Sequence, residues 1–125
     1  MSIKGIGTDL LDQRRIATIV DRQGERFAKR ILTSEEMAVW VGRDYSVNYL
    51  AKRFAAKEAI SKALGTGIAK GIGFQQMSIT SDDAGKPIVT LSGQALIRAQ
   101  ILGGDQMQLS LSDEGDMILA FAILN

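Results

Sequence analysis

Hydrophobic residues follow two different periods along the chain. Between about residues 12 and 64 they recur at spacings of three and four, which predicts amphipathic helices. Before this stretch, and from about residue 77 onward, they are mostly separated by single polar residues or glycines, which predicts strands. The pattern therefore predicts an α+β protein, with a mostly antiparallel sheet packed on one long helix.

Four helices are predicted, and residues that favour helix ends mark their limits. Asp12 and Ser92 can cap the first and the last helix. Thr33 with Glu36 forms a capping box at the start of the second, and Gly65 follows the C-terminal end of the longest. The predicted ranges are about 12–22, 33–42, 46–64 and 92–102.

Five segments are predicted to be strands. IKGIGTDLL predicts a strand that ends near Asp9, and QMSITSD with PIVTL predicts a hairpin that turns over residues 82–87. QMQLSLS alternates, whereas MILAFAIL is apolar on both faces and is therefore placed at the centre of the sheet. No linker rich in proline, glycine or serine interrupts the chain, so we expect a single compact domain over residues 1–125.

Composition narrows the possible chemistry. The chain has no cysteine and no histidine, which excludes disulfides, thiol nucleophiles, imidazole bases and most zinc sites. A net charge of +1 does not indicate general nucleic-acid binding, and no apolar run approaches the roughly 18 to 20 residues of a membrane span. We therefore expect a cytoplasmic protein without nucleic-acid or membrane partners. An enzyme of this composition would use carboxylates, amines, hydroxyls and a hard cation.

Two carboxylates stand in apolar surroundings. Glu58 falls on the apolar stripe of the longest helix, and Asp9 lies among apolar residues and glycines. Spacing alone favours a solvated pair between Glu58 and Lys62, one helical turn apart. Burying either carboxylate unpaired would cost several kcal/mol, and a shared divalent cation would satisfy both. Two carboxylates with water and substrate phosphates are the usual Mg²⁺ ligands, so Asp9 and Glu58 form a candidate metal pair.

Basic residues and glycines near Glu58 suggest a phosphate site. Arg53, Lys57 and Lys62 share its helix, and the GTG sequence at 65–67 is expected to leave open backbone amides that could hold a pyrophosphate. Ordinary turn glycines are the alternative interpretation. Neither GTG nor GIGTD matches a nucleotide-binding loop, because the former lacks a following GK[ST] and the latter lacks a third glycine.

The first helix is basic in an otherwise balanced chain. Arg14, Arg15, Arg22 and the following Arg26 form either a solvated face or a docking surface for an acidic protein. Nucleic acid fits less well, since the seven aromatic residues do not interleave with a basic stripe. Ser110 and Ser112 alternate with leucines and, by spacing alone, are more often solvent-facing strand residues than ligands.

Five motifs together resemble a known family. In order they are GIGTDLLD, RILTSEE, RFAAKEAISKALGTGI, DDAGKPIVTLSG and LSLSDE, and they cover nearly the whole chain. They resemble the holo-acyl-carrier-protein synthases, the small bacterial 4′-phosphopantetheinyl transferases. The resemblance implies transfer of 4′-phosphopantetheine from coenzyme A to a serine of apo acyl carrier protein in fatty acid biosynthesis, with release of adenosine 3′,5′-bisphosphate. It also implies the 4′-phosphopantetheinyl transferase fold, Mg²⁺ as cofactor and a homotrimer.

The resemblance also implies roles for particular residues. Asp9 and Glu58 would hold Mg²⁺ and act in catalysis together with Lys62. Coenzyme A would be bound by Arg53, Lys57, Lys62, Gly65, Thr66 and Gly67. A neighbouring subunit would add Ser110, Ser112 and Asp113. Arg14, Arg15 and Arg22 would meet the acidic helix of the carrier protein.

One departure from the family pattern leaves the identity of the general base undetermined. Many relatives carry a histidine in the late strand, and this chain has none. The serine proton must therefore pass to Glu58, to Asp113 or to a water molecule, and we favour water oriented by Glu58. Two rival functions remain at this stage: a Mg²⁺-dependent nucleotide pyrophosphohydrolase, which would normally need more acids, and a non-catalytic trimeric binding module.

Overall fold

Five strands and five α-helices build the part of the chain that the computed structural model describes, residues 2–125. In chain order they are β1 (Gly5–Asp12), α1 (Gln13–Gln23), α2 (Glu25–Ile31), α3 (Ser34–Gly42), α4 (Val47–Ala63), β2 (Met77–Ser81), β3 (Pro87–Leu91), α5 (Gly93–Ile101), β4 (Met107–Glu114) and β5 (Met117–Leu124). One turn of 3₁₀ helix, Phe74–Gln76, precedes β2. None of the helices within residues 2–125 is long and apolar enough to cross a membrane.

The strands form two antiparallel sheets. The larger has the order β1-β5-β4, and β2 pairs with β3 as the predicted hairpin. β5 lies at the centre of its sheet, as its apolar sequence predicts, and one face of this sheet packs against α4. The predicted α+β class, with a mostly antiparallel sheet on one long helix, is confirmed.

One local prediction was wrong, and one short helix was not predicted. β1 does not end near Asp9, because its pairing with β5 continues as far as Asp12 opposite Met117. A short helix, α2, follows α1 at once, since Gly24 adopts a positive φ of 59° that ends one helix and begins the next. Phe27 and Ile31, four residues apart and both buried, were the apolar signal for this helix.

Glycines allow β1 to lie directly against α4. A methyl group on Gly5 would overlap the carbonyl oxygen of Ala63, and one on Gly7 would overlap that of Ala59. The helix presents small buried residues to the strand, Ala59 and Ala63 among them. The two backbones therefore approach more closely than larger side chains would permit, and they carry Asp9 and Glu58 on facing elements.

The opposite side of α4 is held by a buried ion pair. The Lys57 ammonium donates to Oε1 of Glu36 at 2.6 Å and to the carbonyl oxygen of Ile31 at 2.7 Å. The Glu36 carboxylate also accepts from the backbone amides of Thr33 and Ile79, at 2.9 and 2.8 Å. Burial lowers the pKa of Lys57, and Glu36 opposes that shift. Through these bonds the pair joins α2, α3 and β2 to α4.

The face of the larger sheet that points away from α4 is apolar and uncovered. Ile6 and Leu10 of β1 are 62% and 65% exposed, and Leu119 and Phe121 of β5 are 45% and 40% exposed. Polar residues of β4, including Ser110, continue the same face. We call Ile6, Leu10, Leu119 and Phe121 the outer apolar face. An exposed apolar patch of this kind is typical of a protein interface.

Replacing Gly7 with alanine should destabilise the protein by about 1–3 kcal/mol, because the added methyl group would force β1 and α4 apart. Urea unfolding followed by circular dichroism measures this change. Gly42→Ala is the matched control, since a methyl group there meets nothing within 4 Å, and it should not destabilise. Equal stability of the Gly7→Ala variant and the wild type would show that the close approach is not required.

Candidate active site

Asp9 and Glu58 face each other across β1 and α4. The Asp9 side chain is only 17% exposed, on the side of β1 that packs against α4, and Glu58 is half-buried. Burial raises the pKa of Glu58, and the negative charge of Asp9 raises it further. The structure thus brings together two mutually repelling carboxylates that are 49 residues apart in sequence (58 − 9).

Lys62 neutralises this pair in part. Its ammonium donates to the carbonyl oxygen of Thr8 at 2.9 Å and to Oδ1 of Asp9 at 3.3 Å. Lys62 therefore pairs with Asp9 rather than with Glu58, although its charge lowers the pKa of Glu58. Its side chain is half exposed, so the ammonium can also reach a ligand that enters from solvent.

The donor set suits a hard cation with an incomplete protein shell. Asp9 and Glu58 supply carboxylate oxygens, and residues 2–125 contain no cluster of three or more His, Cys, Asp or Glu side chains. Mg²⁺ is commonly held by one or two carboxylates while water and substrate phosphates fill its other positions. The residues present therefore fit Mg²⁺ and do not fit a dedicated all-protein cage.

Two predicted phosphate contacts are not available. Lys57 was expected to face coenzyme A, but this prediction was wrong, because its ammonium is fully buried and bound to Glu36. The amides of the GTG segment were expected to be open, and they are not. The amide of Gly65 donates to the carbonyl oxygen of Lys62, and those of Thr66 and Gly67 donate to that of Ser61. These amides satisfy the C-terminal carbonyls of α4.

Arg53 lies at a separate polar cavity. This cavity has a volume of about 610 Å³, and Asp9, Glu58 and Lys62 are not among its lining residues. The lining includes Arg43, Lys52, Arg53, Lys86 and Ser110. Arg53 is 8% exposed and stacks on the ring of Tyr49 at 4.7 Å, and its Nε atom has no hydrogen-bond partner. The excess of cationic side chains makes the cavity suitable for an anionic group.

Arg43 and Tyr49 were missed by the sequence analysis. The Arg43 guanidinium stacks on the Tyr49 ring at 5.1 Å, so that one aromatic ring carries two arginines. Tyr49 precedes Arg53 by four residues, and this spacing on a helix could have indicated the contact. Arg43 had no such signal, because it follows the end of α3 and reaches Tyr49 only through the turn before α4.

The remaining predicted residues lie outside this carboxylate site. Asp113 pairs with Lys52 at 3.5 Å and accepts from Asn48 at 3.4 Å. Arg14 and Arg15 are exposed near the start of α1 and Arg22 near its end. Arg14 forms a close ion pair with Asp12, at 2.6 Å, and lies 3.6 Å from Asp116. The free positive charge of α1 therefore comes mainly from the other two arginines.

Comparison with known proteins gives consistent matches over nearly the full length. A family model described as the 4′-phosphopantetheinyl transferase superfamily matches residues 5–121. The holo-[acyl-carrier-protein] synthase of Shewanella amazonensis is 52% identical over 124 residues, 99% of each chain. That of Neisseria meningitidis has a crystal structure that matches with a TM-score of 0.90 at 44% identity, over 99% of both chains. The Bacillus anthracis enzyme, in complex with CoA (3′,5′-ADP), matches with a TM-score of 0.80 at 36% identity, over 98% of this chain and 96% of that one.

These matches agree with the motifs and with the fold. The similarity extends over both halves of the chain, so it includes β1, which carries Asp9, and α4, which carries Glu58. It favours a transferase over a pyrophosphohydrolase or a binding module. The chain belongs to the 4′-phosphopantetheinyl transferase superfamily and is an enzyme of its holo-[acyl-carrier-protein] synthase group.

Proposed function

We propose that the chain transfers 4′-phosphopantetheine from coenzyme A to a serine hydroxyl of apo acyl carrier protein, and that adenosine 3′,5′-bisphosphate is released. The observation that carries this proposal is the pair of interacting carboxylates, Asp9 and Glu58, with Lys62 beside them. Two acids that can hold a divalent ion, with an amine beside them, suit phosphoryl transfer from a diphosphate. The bound CoA (3′,5′-ADP) in the B. anthracis enzyme supports coenzyme A as the donor.

Asp9 and Glu58 are the residues that would hold Mg²⁺. Their two carboxylates match the number that this ion usually takes from a protein, which leaves room for substrate oxygens. When bound there, Mg²⁺ supplies positive charge that neutralises the diphosphate of coenzyme A.

Lys62 and Glu58 have separate tasks in the transfer. The Lys62 ammonium, which is half exposed and on a flexible side chain, binds the diphosphate and stabilises the charge of the departing phosphate. The serine oxygen forms a bond to the β-phosphorus as the bond from that phosphorus to the bridging oxygen breaks, and the bridging oxygen leaves with adenosine 3′,5′-bisphosphate. The serine hydroxyl loses its proton in this step, and Glu58 orients the water that accepts it.

Arg53 and its cavity would bind the remaining phosphates of coenzyme A. The unpartnered Nε atom of Arg53 and the cationic lining of the cavity support this assignment. The 65–67 segment would lie beside the nucleotide. It would contact the nucleotide through the Thr66 side chain and through its surface, because its amides are already bonded.

A homotrimer would complete each site between subunits. Two features support this assembly: the outer apolar face is uncovered in one chain, and the Arg53 cavity is separate from the carboxylate pair. In the trimer, one subunit would supply Ser110, Ser112 and Asp113 to the site of its neighbour, beside the neighbour's two carboxylates. A single subunit would then have both half-sites but no complete one.

The carrier protein would dock on α1. Arg15 and Arg22 are exposed and give this helix positive charge that a partner can reach. Arg14 adds less, because its charge is partly neutralised by Asp12. An acidic helix of the partner would be attracted to this surface and oriented by it.

Asp9→Asn and Glu58→Gln should each reduce transfer by at least 100-fold while the protein remains folded, because each removes one charged ligand without changing its size. Mass spectrometry of apo carrier protein mixed with coenzyme A, Mg²⁺ and enzyme measures the phosphopantetheine adduct. Asp82→Asn is the control, since Asp82 lies in the β2–β3 turn, and it should retain activity. Full activity of either site variant would contradict the metal assignment.

Leu119→Glu should convert the proposed trimer into monomers and abolish transfer, because a charge on the outer apolar face opposes its burial. Sedimentation equilibrium gives the mass of the assembly, and the adduct assay gives the activity. Val41→Glu introduces the same charge at another exposed apolar residue, on α3, and should leave the assembly unchanged. A wild-type chain that sediments as an active monomer would refute the proposal.

Arg15→Glu should raise KM for carrier protein about tenfold and leave KM for coenzyme A unchanged, because it reverses a charge on the proposed docking helix. Steady-state kinetics with each substrate varied in turn separates the two constants. Lys29→Glu, which makes the same charge change on α2, should have a smaller effect. The docking assignment fails if coenzyme A binding changes and carrier binding does not.

A further inference from the structure

The ammonium of Lys62 forms an ion pair with Asp9, one of the two proposed metal ligands. It is bonded to Oδ1 of Asp9 and to the carbonyl oxygen of Thr8, and these two oxygens belong to neighbouring residues of β1. The Asp9 side chain is largely buried, at 17% exposure. Lys62 itself is half exposed on a long, flexible side chain, and it can leave this position without disturbing the fold.

A cation beside the carboxylate pair relieves the repulsion between the two acids. Asp9 and Glu58 repel one another, since the charge of Asp9 makes Glu58 harder to ionise, and Lys62 acts in the opposite direction. Without a metal, the Lys62 ammonium is the only cation that forms an ion pair with either carboxylate within residues 2–125. It therefore offsets the repulsion that a bound divalent ion would otherwise offset.

We propose that Lys62 takes the place of the divalent cation at Asp9 in the free enzyme and moves to the substrate phosphates when metal and coenzyme A bind. This inference rests on the proposed metal role of Asp9 and Glu58. It gives Lys62 two successive partners, a carboxylate before loading and a diphosphate afterwards.

A coupling between the two ligands follows. The metal and the Lys62 ammonium compete for the same Asp9 oxygen, so the free enzyme binds metal weakly. A bound diphosphate offers Lys62 another anionic partner and removes the competitor from Asp9. Bound coenzyme A therefore raises the affinity for metal, and bound metal raises the affinity for coenzyme A by the same factor.

Binding of Mn²⁺ to the full-length free proteins, followed by electron paramagnetic resonance, tests this competition. Lys62→Met should bind Mn²⁺ about fivefold more tightly than the wild type, the factor expected when a partly exposed ion pair no longer has to be broken. Lys29→Met is the matched control, because Lys29 is exposed on α2 and forms no ion pair within residues 2–125, and its affinity should equal that of the wild type.

Thermal unfolding gives a second readout that does not depend on activity. Saturating Mn²⁺ should raise the Tm of Lys62→Met by more than it raises that of the wild type, because the metal relieves a repulsion that Lys62 already relieves in the wild type. An affinity and a Tm increase that do not exceed those of the wild type would overturn the inference. Failure of the wild type to bind Mn²⁺ even with coenzyme A present would instead overturn the metal assignment itself.

Discussion

The close approach of α4 to β1 is the constraint on which the candidate site depends. Gly7 has no side chain, so the strand lies against the helix backbone at Ala59. Asp9 and Glu58 are carried by these two elements, and the spacing of the elements therefore sets the spacing of the carboxylates. A larger residue at position 7 would press on the backbone of α4 and on the Cβ atom of Lys62, and it would therefore disturb the site.

The other side of α4 is held just as firmly. Lys57 and Glu58 are successive residues, and side chains one position apart point about 100° apart around a helix. The buried ion pair of Lys57 with Glu36 fixes the side of α4 that faces α3. Glu58, the next residue, therefore points in a different and equally fixed direction. A buried ion pair contributes little net stability, but its two charges must stay in contact, which limits the rotation of the helix and so the direction in which Glu58 points.

A single chain has two separate polar regions to which the proposed function assigns parts of coenzyme A. The carboxylate pair with Lys62 offers the chemistry for a diphosphate, and the cavity around Arg53 offers cations for further phosphates. The outer apolar face, uncovered in one chain, gives a physical reason for association. Assembly would thus bury apolar surface and complete the substrate site in one step.

Much of this protein could be predicted from its sequence, because helix ends and strand alternation depend on neighbouring residues. The Thr33–Glu36 capping box and the central position of β5 were predicted in this way and are confirmed, and the isolated acids pointed to Asp9 and Glu58. The partner of a long side chain is different, since it depends on which elements pack around it. Only the tertiary structure turned Lys57 inward to Glu36 and placed Lys62 on Asp9, because both contacts join segments distant in the chain.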